Sequence, residues 1–115
     1  MRTLNDYFIT GRVSDISTAG STFVAVPDGG RIIKIMTVLQ GAISGGNAAI
    51  TFEIGGTAVT GADITVAHSG SAVGTMDSSS PTAANEVEED GSIEIITDGN
   101  STGAKALDVT FIIRR

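Results

Sequence analysis

The sequence contains no cysteine and no tryptophan. Without thiols there is no disulfide scaffold, zinc finger, thiolate metal site or cysteine nucleophile. Long apolar runs are missing too. None approaches the roughly 18 residues that cross a bilayer, and the opening MRTLNDYFITGR lacks the apolar stretch of a secretory signal. Aromatics are scarce: four Phe and one Tyr in 115 residues. Faces that bind sugars stack rings on pyranoses, and so few rings argue against a lectin-like platform. Bases are few as well, seven Lys and Arg against 13 Asp and Glu, for a net charge of −6. Contact with a phosphate backbone relies on clustered cations, so neither nucleic acid nor membrane is expected as a partner.

The inventory for catalysis is equally thin. His68 is the single histidine, and there is no G-x-S-x-G elbow or H-E-x-x-H pair. One histidine cannot build the multi-histidine metal site of a cupin-type enzyme. The acidic cluster Glu86, Glu88, Glu89 and Asp90 lacks the spacing of a calcium loop, and reads as a solvated strand edge. The expectation is a protein that is not an enzyme, with no catalytic residues, no metal and no cofactor.

What the sequence does contain is β-branched residues and 15 Gly. Val, Ile and Thr suit a pleated surface, and Gly supplies the positive φ angles of tight turns. Runs with a two-residue period predict strands near Tyr7–Val13, Ser21–Val26, Arg31–Gln40, Ala48–Ile54, Thr57–Thr60, Ile64–Ala67, Ser92–Thr97 and Lys105–Arg114. Another begins near Glu86. Residues 69–85 are rich in Ser, Thr and Ala and predict a long surface loop, with a brief strand at Ala72–Met76. About eight short strands without a helix predict an all-β, single-domain β-sandwich, an eight-stranded jelly roll, with an immunoglobulin-like sandwich as the alternative. Residues 1–20 read as an N-terminal arm or first strand, and 21–115 as the sandwich.

Two patterns point to an interaction. The run RIIKIMTVLQ is apolar on both faces, whereas a strand of an isolated antiparallel sandwich should present one polar face. Ile32, Met36 and Val38, on its second face, are candidates for a subunit interface. Charge is also segregated along the chain. From Ile35 to Ala104 there are nine acids and no base, while the two terminal segments are net basic. Like charge on the body favours solubility; basic ends also suit docking on an acidic partner.

The leader MRTLNDYFITGR, the block PDGGRIIKIMTVLQG and the ending GSIEIITDGNSTGAKALDVTFIIRR together resemble the small capsid decoration, or cement, proteins of tailed bacteriophages. The resemblance is one of layout and spans most of the chain. It implies a compact β domain on the capsid exterior, made in the host cytoplasm, assembled as a homotrimer and stitching major capsid subunits together. It brings no catalytic residues. Arg2, Tyr7, Phe8, Ile9 and Arg12 then form a candidate capsid-docking anchor. A trimeric receptor- or glycan-binding head of a phage fibre is the competing reading.

Overall fold

The computed structural model describes residues 4–115. Arg2, one of the expected anchor residues, lies outside them. Ten strands follow one another: β1 Asp6–Val13, β2 Gly20–Ala25, β3 Gly30–Leu39, β4 Ala48–Ile54, β5 Thr57–Ala58, β6 Ile64–Val66, β7 Met76–Ser79, β8 Glu86–Val87, β9 Ser92–Thr97 and β10 Leu107–Arg114. The described residues contain no helix.

Two antiparallel sheets result. Sheet A runs β1-β10-β3-β7, with β8 also on β3; sheet B runs β2-β9-β4-β5, with β6 also on β4. The pairings nest: first strand with last, second with second-last, third with β7 and β8, fourth with β5 and β6. A long hairpin rolled up on itself in this way is a jelly roll. In an immunoglobulin-like sandwich the first two strands share a sheet; here β1 and β2 lie in different sheets. The ten segments fill eight positions, because two positions are each split between a pair of short strands.

Local chemistry accounts for the elements. In β4, Ile50 and Phe52 alternate with Thr51 and Glu53, and the apolar set is buried. Gly55 and Gly56, both at positive φ, close the tight turn that pairs Ile54 with Thr57. In β10, Leu107, Val109, Phe111 and Ile113 point inward and are fully buried. Phe111 meets Phe52 of the opposite sheet edge-to-face, with ring centroids 5.7 Å apart. The strand expected at Ala72–Met76 sits later, at Met76–Ser79, where Met76 and Ser78 face out and Asp77 and Ser79 face in.

β3 departs from simple alternation. Lys34 pairs with Ile112 but Ile32 pairs with Ile113, so Ile33 is the extra residue of a bulge. The bulge shifts the phase, and Ile32 joins the core at 0% exposure. Ile32 was expected on the outward interface face; the structure places it inside. Asn85 holds this corner, donating from Nδ2 to the Ile32 carbonyl at 2.7 Å and accepting from the Ile32 N–H at 2.9 Å.

Candidate interaction surface

The outer face of sheet A gathers residues that are far apart in sequence. Cross-strand register gives its rows. Arg12, Asp108, Val38 and Met76 form one; Thr10, Thr110, Met36 and Ser78 the next; Phe8, Ile112 and Lys34 the third; Asp6, Arg114, Arg31 and Glu86 the last. An apolar band, Phe8 to Met36, Val38 and Met76, therefore crosses the face obliquely. Phe8 is 59% exposed and Met76 55%.

Bidentate ion pairs bracket this band. Arg12 donates to Asp108 at 2.7 and 3.0 Å. Arg114 donates to Asp6 at 2.8 and 3.1 Å, with the Asp6 side chain almost fully buried. Both guanidinium pKa values lie above the usual arginine value, chiefly because of these hydrogen bonds. At the chain end, Arg115 pairs with Asp28 at 3.0 Å and stacks over the Tyr7 ring, 5.4 Å from its centroid. Tyr7 also donates to the Asp28 carbonyl. Its pKa is raised, first by burial and then by the Asp28 charge.

The expected residues divide. Phe8 and Arg12 of the anchor set share this one outer face with Met36 and Val38 of the subunit-interface set. Tyr7 and Ile9 alternate to the inner side and pack against the core. The sequence did not single out Lys34 or Met76 for this surface; Ile112 lies on the same side of the sheet but is only 4% exposed. Lys34 falls on the same side of β3 as Met36 and Val38 by the two-residue period alone, whereas Met76 was legible only once its neighbours across the sheet were known.

Charge distinguishes the two outer faces. Arg12, Arg31, Lys34 and Arg114 all lie on sheet A, because β1, β3 and β10 draw on the basic ends of the chain, and Asp6, Asp108 and Glu86 share that face. The outer face of sheet B carries Glu53 and Glu94, directly opposite one another, with no base on its strands. Ser21 donates to Glu94 at 2.6 Å. Elsewhere, His68 is exposed and its Nδ1 lies 2.8 Å from Asn47 Oδ1, an amide rather than a carboxylate. Glu86, Glu88, Glu89 and Asp90 are all exposed, and β8 takes up only the first of them. The chemistry on offer is therefore recognition by a mixed apolar and charged surface, on which Arg31 and Lys34 are the bases outside the bidentate ion pairs.

No protein-family model and no curated protein matches the sequence. Solved structures do resemble it. A chain from the acidic stable capsid structure of Helicobacter pylori bacteriophage KHP30 has a TM-score of 0.61 at 10% identity, over 96% of this chain and 87% of that one. The likeness is one of fold. Dimeric latent PorU from Porphyromonas gingivalis gives 0.49 at 11% identity, over 96% of this chain and 13% of that one. A Bacillus endospore appendage chain gives 0.44 at 19% identity, over 95% and 86%.

Proposed function

We propose that the protein is a structural component of a phage virion, without enzymatic activity. In this reading it decorates the capsid exterior and stabilises it by bridging major capsid subunits. One observation carries the reading: the apolar band and four of the seven bases, Arg12, Arg31, Lys34 and Arg114, lie on the outer face of sheet A, Arg31 and Lys34 outside its bidentate ion pairs, while the charged residues on the strands of sheet B are Glu53 and Glu94. A surface of this kind suits a flat partner with apolar and acidic groups. The fold shared with a chain of a phage capsid structure supports the same reading. The outer face of sheet A lies on the shell, and the acidic face looks into solvent. Many such weak contacts, repeated over a symmetric shell, give high avidity.

The test is co-sedimentation with capsids of the phage that carries the gene, followed by heating of the decorated shells. Wild type is expected to sediment with capsids and to raise their disruption temperature. Met36→Glu puts a charge into the apolar band and is expected to weaken binding at least about tenfold, or 1.4 kcal/mol. Its melting temperature should stay near that of wild type, because Met36 points away from the core. Failure of wild type to bind, or full binding by Met36→Glu, would overturn the reading.

A further inference from the structure

Edge strands expose unpaired N–H and C=O groups, and proteins usually guard them with charge, proline, bulges or brevity. Three of this molecule's four edges are guarded. β1 carries Asp6 and Arg12 in bidentate ion pairs. β5 and β6 have two and three residues. β7 and β8 are short and hold Asp77 and Glu86. β2 has none of these devices. Its sequence, Gly-Ser-Thr-Phe-Val-Ala, is uncharged, free of proline and regularly paired with β9 throughout.

Ladder phase identifies the open groups. Val26 N–H donates to the Gly91 carbonyl at 2.9 Å. In an antiparallel pair the hydrogen-bonded positions alternate, so Val24, Thr22 and Gly20 face β9. Ser21, Phe23 and Ala25 therefore aim their N–H and C=O groups away from the sheet. Among the described residues, no hydrogen bond reaches these groups. Phe23, at the centre of the three, is 65% exposed.

We infer that β2 is a self-pairing edge: two copies join antiparallel along Gly20–Ala25 about a twofold axis near Phe23, continuing sheet B from one molecule into the next. The edge is its own complement. With Phe23 opposite Phe23 of the second copy, Ser21 meets Ala25 and Ala25 meets Ser21, for about six backbone hydrogen bonds. The two Phe23 rings become cross-strand neighbours on one face, a favourable aromatic pair. No charge lies on β2 itself. Glu94 is one strand in from the edge, so the two Glu94 positions stand three strand spacings apart, about 14 Å. That exceeds the screening length of about 8 Å at physiological salt. The contact leaves the outer face of sheet A free and does not depend on what that face binds.

The experiment is light scattering of the full chain over a range of concentrations, with amide hydrogen exchange alongside. Wild type is expected at twice the chain mass of 11.7 kDa, with Ser21, Phe23 and Ala25 amides protected at high concentration and exchanging freely on dilution. Phe23→Pro removes the donor at the axis without touching the bonds to β9, and Phe23→Lys sets two cations face to face. Both are expected at the mass of one chain, with unchanged circular dichroism. If Phe23→Pro fails to fold, the exposed Phe23→Lys and the wild-type exchange pattern decide. A wild type that is monomeric or trimeric, a pair that survives Phe23→Lys, or paired molecules whose Ser21, Phe23 and Ala25 amides stay unprotected would overturn the inference.

Discussion

Two residues show how single atoms set the limits of this fold. Gly11 faces inward on β1, and a Cβ there would come within 2.4 Å of Val24 Cγ2 on β2. The glycine is needed for close approach of the two sheets at their shared corner, and Val24 is itself buried. Gly11→Val is therefore expected to destabilise by about 1–3 kcal/mol through overpacking, read as a lower urea midpoint with an unchanged slope. Asp15 organises the turn between β1 and β2. It accepts hydrogen bonds from the Ser17 hydroxyl, the Ser17 N–H and the Thr18 hydroxyl, which hold its pKa below the usual carboxylate range. A depressed folded pKa means the stabilisation is complete above the unfolded value and is lost as pH falls through the folded one. Asp15→Ala should be less stable than wild type at neutral pH, and the gap should close as the pH falls below the unfolded carboxylate value of about 4. Melting curves of both proteins across that window check this; a gap that persists in acid would contradict it.

At the scale of elements, each strand is defined by its neighbours as much as by its own residues. β10 lies between β1 and β3 and is buried along its inner face, so it can tolerate apolar residues that an edge strand would have to guard. The β3 bulge turns Ile32 inward and leaves Lys34 outward in the same stretch. Sheet B carries an unfavourable pair, Glu53 directly opposite Glu94. Like charges at such positions cost a few tenths of a kcal/mol to about 1 kcal/mol. Glu53→Gln is expected to raise stability by that amount while leaving the Ser21 hydrogen bond to Glu94 in place. Chemical denaturation at low salt measures it, and the gain should shrink as salt is added.

For the whole molecule, the nested topology turns a charge pattern along the chain into a charge difference between faces. The first, third and last long strands all belong to sheet A, and they bring the bases with them. On the proposed docking mode, Lys34 and Arg31 are the bases of that face outside its bidentate ion pairs. Lys34→Glu should reduce capsid binding and flatten its dependence on ionic strength, because fewer screened charge contacts remain. Binding isotherms at two salt concentrations are the readout, and a variant with an unaltered salt dependence would rule out an electrostatic role for Lys34.

How much was legible in the sequence depends on the range of the physics. Ala48–Ile54 and Ser92–Thr97 could be read as strands, with their buried sides, because side chains alternate with a fixed period of two. The Gly55-Gly56 turn follows from positive φ, and the excess of acid in the middle of the chain is plain in the composition. Tyr7, Phe8 and Ile9 illustrate the limit. They read as one apolar knot, but a strand sends Phe8 out and the other two in. The bulge at Ile33 left no local mark and reversed the side taken by Ile32. That Phe8, Arg12, Met36 and Val38 share one surface, and that β2 alone is an unguarded edge, are decided by which strands become neighbours. Such pairings join residues up to about a hundred positions apart through closure of the whole sandwich, so the sequence by itself determined the strands, their turns and their charges, and the tertiary structure alone decided which of them face outward together.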